Sequence, residues 1–383
     1  MTQTSDLFKN IPSPCFVLEE ALLERNLAIF ERLQREAPIN VLLALKGFSL
    51  FHTFPMIRKT LQGVSASSLW EAQLGAEEFG KEVHVYSPAY RNEDLPQILP
   101  LASHITFNSM TQWERFAHII ATSSSHLSIG LRINPEYSPV KTALYNPCMP
   151  NTRLGISQNQ LGDTLPKGIE GFLSHNLCES DSYALEKTLL QIELLFGRFL
   201  PQLKWLNLGG GHLMTRKDYN VEHAIEVIKA FHDRYPHIQL IIEPGSAIAW
   251  ETGFLLSTVQ DLIPTPALIN AMLDISFTAH TPDCLEMPYK PVIRGAHEPQ
   301  DGEKVYRMGG ASCLAGDFIG DYAFAEDLSI GDRLIFEDMM HYTMVKTSMF
   351  NGVLHPSIGT IEKDGSFVLW RQFSYQDYRA RLG

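Results

Sequence analysis

The stretch Val41-Leu42-Leu43-Ala44-Leu45-Lys46-Gly47 sets five apolar residues of strand type in front of one lysine and one glycine. A run this short and this apolar reads as a buried strand. An ammonium at the end of a buried strand is costly to desolvate, so it finds a partner or titrates toward the neutral amine. A neutral amine is a nucleophile, and one reading of Lys46 is a Schiff-base lysine that holds a carbonyl compound. The other reading is a lysine that marks the strand's exit to solvent. The rest of the chain has to decide.

Runs of strand type recur at 41–45, 63–67, 82–86, 104–107, 127–133, 169–174, 205–208 and 238–242. Helical patterns lie between most of them, at 69–79, 110–121, 183–200 and 221–235, and another at 19–35 precedes the first. Parallel strands need such crossovers, and eight units predict a (β/α)8 barrel of the TIM type. The Pro- and Asn-rich segment 134–160 reads as a long loop over one end of that barrel. Beyond about residue 255 the helical pattern stops. Short β runs at 255–259, 267–273, 292–294, 305–308, 333–336 and 367–369, split by Gly, Pro and Asp, predict a mostly antiparallel β-domain. The early run near Phe16 precedes the first barrel unit and is expected to join that domain. The expected division is 20–254 for the barrel, with 1–19 and 255–383 forming the β-domain.

At 383 residues the chain is long enough for two domains, and its 45% hydrophobic content is spread without any run near the ~20 residues of a membrane span. The opening Met1-Thr2-Gln3-Thr4-Ser5-Asp6 has neither a basic nor an apolar leader region, so no secretory signal is expected. Five cysteines, an odd number with no C-x-x-C pair, argue for reduced thiols and a cytoplasmic setting and against a structural metal. A formal charge of −12 argues against nucleic acid and suits a small cationic substrate.

Barrel enzymes carry their chemistry at the C-terminal ends of the strands. Those ends supply Lys46, Ser67, Asn108, Arg132, His175, the triplet Gly209, Gly210 and Gly211, and Glu243. Three glycines before a helix leave backbone N–H groups uncovered, as in a phosphate cradle, or else form a plain flexible turn. Glu243 ends an apolar strand, where a carboxylate needs a cationic or hydrogen-bonding partner: a protonated pyridine nitrogen, or an arginine in a structural pair. His175 is either a core histidine satisfied by backbone or a ring able to stack on an aromatic ligand. In the β-domain, Gly309-Gly310-Ala311-Ser312-Cys313-Leu314-Ala315-Gly316-Asp317 places a cysteine among small residues, where it reads as an accessible acid or nucleophile or as buried filler. Tyr342 reads as a phosphate donor or a packing aromatic.

In this order the motifs resemble the fold-type III pyridoxal-phosphate decarboxylases, the alanine racemase-like group that includes ornithine, diaminopimelate and arginine decarboxylases. The resemblance runs from about Pro14 to Phe373. Within the group, Ala44-Leu45-Lys46-Gly47-Phe48, His175-Asn176-Leu177-Cys178-Glu179, Leu208-Gly209-Gly210-Gly211-His212, Leu285-Glu286-Met287-Pro288-Tyr289 and Ser312-Cys313-Leu314-Ala315-Gly316-Asp317 most resemble the carboxynorspermidine (carboxyspermidine) decarboxylases. The resemblance implies pyridoxal 5′-phosphate carried by Lys46, stacked on by His175 and paired at its ring nitrogen with Glu243. It implies Gly209, Gly210, Gly211 and Tyr342 as phosphate contacts, and Cys313 as the acid that protonates the carbanion. Asp274, Glu286 and Asp317 are implied to face the substrate's distal amines, in a homodimer whose Cys313 and Asp317 serve the opposite site. Two positions depart from the wider group, with Ser246 after Glu-Pro-Gly and Cys178 three places after the histidine.

The activity implied is decarboxylation of carboxynorspermidine or carboxyspermidine in polyamine biosynthesis. A diaminopimelate or ornithine decarboxylase is the nearest alternative, and a non-catalytic regulatory homologue is the alternative of another class. Lys46 and Cys313 are both present, which favours the enzyme. Decarboxylation also needs a protonated ring nitrogen to accept the electron pair, and a carboxylate such as Glu243 enforces that where an arginine would not.

Overall fold

The structure, a computed structural model, describes residues 6–122 and 126–383. Residues 1–5, most of the segment read for a leader, lie outside the described residues. The chain forms two compact units, one of residues 26–248 and one that combines 249–383 with the amino-terminal stretch through Arg25. No helix among the described residues is long and apolar enough to cross a membrane.

The first strand, β1 (Cys15–Glu19), belongs to the second unit. Strands β2 (Ile39–Ala44), β3 (Gly63–Ala66), β4 (Glu82–Tyr86), β5 (His104–Phe107), β6 (Ser128–Arg132), β7 (Gly171–Leu173), β8 (Trp205–Asn207) and β9 (Gln239–Ile242) close into the eight-stranded barrel in chain order. All eight ladders are parallel, and β9 returns to β2 with Val41 opposite Ile242. The strands are near-continuously apolar because the barrel interior covers one face and helices cover the other. Phe54, Phe79, Phe107, Phe116, Phe172, Phe196, Phe199 and Phe231 are fully buried. Each such ring contributes about 1.5–3 kcal/mol relative to an exposed one.

Sequence fixes where the crossover helices begin. Ser109, Asp181 and Asn220 each accept a backbone N–H with their side chains, at the starts of Met110–Ala121, Ser182–Phe196 and Val221–Arg234. Other crossovers are slight, with a 3-10 turn at Phe51–Thr53 running into the short helix Phe54–Ile57 between β2 and β3 and Leu95–Ile98 between β4 and β5. The segment 134–160 is the loop it was expected to be, after β6 and therefore at the C-terminal end of the barrel. It is tied down: Asn134 and Ile156 pair with neighbouring backbone, and the Asn108 side chain donates to Arg153 O (2.9 Å) while accepting from Gly155 N–H (2.9 Å).

The second unit is a nine-stranded sheet. It adds β10 (Gly253–Pro264), β11 (Ile269–Leu273), β12 (Ala296–His297), β13 (Tyr306–Gly309), β14 (Phe318–Phe324), β15 (Arg333–Glu337), β16 (Ser357–Ile361) and β17 (Phe367–Arg371) to β1. Most pairs are antiparallel, with β1–β16 and β11–β13 parallel. The run near Phe16 does enter this sheet, between β10 and β16. The run at 292–294 is not a strand; it contributes one bridge, Ile293 to Phe336. Strands β14 and β16 were not anticipated, because Gly320, at φ +50°, and Gly359 interrupt their apolar patterns.

Candidate active site

Closure of the barrel brings the lysine to the glutamate. Lys46 sits in a tight turn just past β2, closed by Gly47 N–H donating to Ala44 O at 3.0 Å. A Cβ on Gly47 would lie 2.9 Å from Gly245 Cα, so the turn after β2 touches the Glu243-Pro244-Gly245 turn after β9 only because both positions are glycine. Ala44 N–H donates to Pro244 O across the same seam (3.0 Å). The Glu243 carboxylate is steered by Asn207, the last residue of β8, whose amide donates to Oε1 at 2.6 Å. Asn207 in turn accepts from Gly209 N–H at 2.9 Å.

The glycine triplet is required by close packing. A Cβ would come within 2.6 Å of His175 at Gly209, 2.5 Å of Glu243 O at Gly210 and 2.2 Å of Leu177 O at Gly211. Gly209 and Gly211 also hold φ of +66° and +89°. Gly209 N–H is committed to Asn207, and Gly210 N–H donates to His175 Nδ1 at 3.0 Å. Of the three amides expected to lie bare, only that of Gly211 has no hydrogen-bond partner among the described residues.

His175 Nε2 lies 3.2 Å from Lys46 Nζ. Arg132, buried at the end of β6, donates to His175 O at 2.8 Å and lies over the Tyr86 ring, 4.8 Å from its centroid. The Lys46 side chain reaches solvent through the barrel mouth. The surrounding protein still desolvates the ammonium, and with the Arg132 charge this holds its pKa below the ordinary lysine value, against Glu243, Cys178 and Glu71. Burial, then the neighbouring Lys46 and Arg132 side chains, which disfavour a further positive charge, hold the His175 imidazole well below the usual histidine range. An amine biased toward its neutral form is the state that attacks a carbonyl.

The other sequence candidates belong to the sheet unit. Cys313 is exposed, and its N–H donates to Asn351 Oδ1 at 2.7 Å. Asp317 is only 4% exposed, and its carboxylate accepts from Thr278 N–H (3.1 Å) and Ser312 N–H (3.0 Å), which shapes the loop that presents Cys313. Asp274 accepts from Ser13 Oγ–H (2.6 Å), Ser257 Oγ–H (2.7 Å) and Thr258 N–H (2.9 Å). Glu286 keeps about half its surface and shares Lys346 with Asp283. Tyr342 is half-buried in a left-handed turn at φ +46°.

A family model described as the pyridoxal-dependent decarboxylase, C-terminal sheet domain, matches residues 16–340. The chain belongs to the pyridoxal-dependent decarboxylases. A carboxyaminopropylagmatine decarboxylase from Synechocystis sp. is 67% identical over 374 residues, covering 98% of this chain and 96% of the relative. A carboxynorspermidine/carboxyspermidine decarboxylase from Campylobacter jejuni is 38% identical over 385 residues, covering 98% and 99%. The crystal structure of a Campylobacter jejuni carboxynorspermidine decarboxylase complexed with norspermidine superposes with a TM-score of 0.89 at 37% identity, over 97% of this chain and 100% of that one. As in other decarboxylases of the family, the cofactor is pyridoxal 5′-phosphate.

The barrel mouth of this decarboxylase fits that cofactor. It offers an amine of lowered basicity for the aldehyde, an imidazole with a fixed edge for the ring, and an Oε2 on Glu243 free of hydrogen-bond partners among the described residues. The sequence reading missed Asn207 and the partners of Arg132. A polar residue at the end of the apolar run Trp205-Leu206-Asn207 was the available signal for the first; nothing local announced the second.

Proposed function

We propose that this chain removes the α-carboxylate of a carboxylated polyamine, with carboxyaminopropylagmatine preferred over carboxynorspermidine and carboxyspermidine. The 67% identity to the Synechocystis carboxyaminopropylagmatine decarboxylase, against 38% to the enzyme named for the other two substrates, carries the preference. These substrates share one amino-acid end and a cationic distal end, and they differ in whether that end is a guanidinium or an ammonium. The reading places the enzyme in polyamine biosynthesis, in the cytoplasm and as a homodimer, in keeping with an acidic chain of free thiols and with the family resemblance.

When bound, pyridoxal phosphate supplies the sink for the electron pair left on Cα as CO2 departs. Lys46 Nζ would hold the cofactor through its aldehyde carbon, its lowered basicity suiting that bond. Glu243, held by Asn207, would keep the ring nitrogen protonated. His175 would back the ring and Gly209, Gly210 and Gly211 would form the wall beside it; the Gly211 N–H, unpartnered among the described residues, and, by the family resemblance, the Tyr342 hydroxyl would serve as phosphate contacts. The exposed Cys313 thiol would return a proton to Cα and be reprotonated from solvent. Glu286 receives the distal cation, and Asp274 and Asp317 hold the loops that frame it.

The test is CO2 release from carboxyaminopropylagmatine, carboxynorspermidine, carboxyspermidine and diaminopimelate at equal concentration. The expected order of kcat/KM puts the guanidinium substrate first by at least about tenfold, the scale of one charge-assisted bidentate contact. Preference for diaminopimelate, whose distal end carries a carboxylate, would overturn the assignment.

A further inference from the structure

We propose that Gly210 dictates which nitrogen of His175 carries the proton, and that His175 thereby holds Lys46 as a free base ready to capture its cofactor. The proposal rests on the reading of Lys46 as the cofactor-bearing lysine and adds a positioning role for two neighbours.

The Gly210 N–H points at His175 Nδ1 from 3.0 Å, so Nδ1 must present its lone pair. A neutral imidazole has one ring proton, which is then at Nε2. Nε2 faces Lys46 Nζ at 3.2 Å, and two N–H donors set against each other at that distance repel. The contact is a hydrogen bond only if Nζ is the acceptor, which an ammonium cannot be. An imidazolium would set a second ring N–H against Gly210 and a second cation beside Arg132, which donates to the carbonyl of the same residue. The arrangement needs glycine at two positions. A side chain at Gly209 would strike the ring, 2.7 Å from Nδ1, and one at Gly210 would strike Glu243 O, so no other residue lets this amide reach the imidazole edge.

The groups that act on Lys46 come from four elements: His175 and Cys178 on the segment after β7, Arg132 on β6, Glu243 after β9, and Glu71 on the helix Leu69–Leu74. Glu243, Cys178 and Glu71 favour the ammonium; burial and Arg132 oppose it and prevail. The His175 N–H adds a directed contact on the free-base side. Schiff-base formation begins with a lone pair on nitrogen, so a lysine kept in this form meets the aldehyde without first shedding a proton.

Two measurements on the full chain decide the matter. In 15N-histidine-labelled protein, the His175 signals are expected to show a protonated Nε2 and a bare Nδ1, unchanged from pH 6 to pH 9. A protonated Nδ1, or an imidazolium in that range, would overturn the proposal, and this readout needs no variant. In protein freed of cofactor, acetylation of Lys46 against pH, read by peptide mass mapping, is expected to shift upward in His175→Phe. Labelling near neutral pH should be about fivefold slower, the weight of one lost hydrogen bond. A downward shift would mean that the ring accepts from an ammonium, and an unmoved profile would mean that it does nothing; either sinks the proposal. Borohydride trapping of the cofactor on Lys46 tests the underlying assignment separately. Trapping with the wrong tautomer defeats only this inference, while the right tautomer without trapping defeats only the assignment.

Discussion

The two ends of the barrel are built from the same residue types and come out as opposites. At the mouth, His175, Lys46 and Glu243 follow the strands. At the floor, Glu82, His104, Ser128 and Trp205 are the first residues of β4, β5, β6 and β8, with His84 two places into β4. The floor histidines stack face to face, with ring centroids 3.8 Å apart and planes 17° from parallel. His84 Nε2 is 3.1 Å from Glu82 Oε2. His104 meets the Trp205 edge at 5.5 Å, Trp205 donates to Ser128 (2.8 Å), and Ser128 donates to Glu170 (2.7 Å), which pairs with Lys204. At the floor the polar groups satisfy one another, and the stacked rings hold their lone pairs in near-parallel planes. At the mouth, second-line partners such as Asn207, Gly210 and Arg132 hold one edge of each group and leave the other edge directed. That difference, rather than residue identity, separates a site from a scaffold.

The largest contrast is expected from paired substitutions. Lys46→Ala should lose covalent cofactor and cut kcat/KM by roughly a thousandfold or more, since it removes the nucleophile itself. His104→Leu should leave kcat/KM within about twofold, as measured by CO2 release. Equal losses would erase the distinction between the two ends. A smaller effect comes from Glu243→Gln, which keeps the Asn207 contact but removes the charge. A fall in kcat of about 10²–10³, with KM little changed, is the size expected for loss of one preorganised electrostatic partner.

The smallest effect concerns stability and is shared by His104 at the floor and by His212, which follows the glycine triplet at the mouth. Burial first, then the His84 neighbour, pushes the His104 imidazole down to about 3, and burial takes His212 to about 4. Their unfolded values are near 6.5, so between that pH and the folded value the unfolded chain binds protons that the native chain refuses. Their stabilising contribution is complete above about pH 6.5 and is lost as pH falls toward 4, with a slope of up to about 1.4 kcal/mol per pH unit for each excluded proton. Urea midpoints from pH 7 to pH 4 should decline, and His104→Leu should flatten the decline by about one proton's share. An unaltered slope would mean that His104 is protonated in the native floor as readily as in water.

Much of the barrel was legible in the sequence because a strand covered on both sides leaves a continuous apolar run, and capping residues such as Ser109, Asp181 and Asn220 mark the helix starts. Lys46 and Glu243 stood out for the same reason: each is the first charge after such a run. The sheet unit was harder to read. Its strands mix fully buried stretches with half-exposed ones, and glycines inside Phe318–Phe324 and Ser357–Ile361 break the patterns that would have marked those two. The carboxylates Asp274 and Asp317 were visible as chemistry but not as structure, since their partners Ser13, Ser257, Thr278 and Ser312 are set by a sheet whose register the sequence does not spell out. The glycine triplet was legible as uncovered backbone, a phosphate cradle or a flexible turn; what it accommodates, the edge of His175, was not.

The glycine contact at 47 and 245 ties the onset of activity to the order of synthesis. The lysine leaves the ribosome on the earliest barrel strand and waits for the latest one before its carboxylate neighbour arrives. Cofactor colour should therefore develop only after the seam zips shut, which makes the yellow of bound pyridoxal a clock for closure of the barrel.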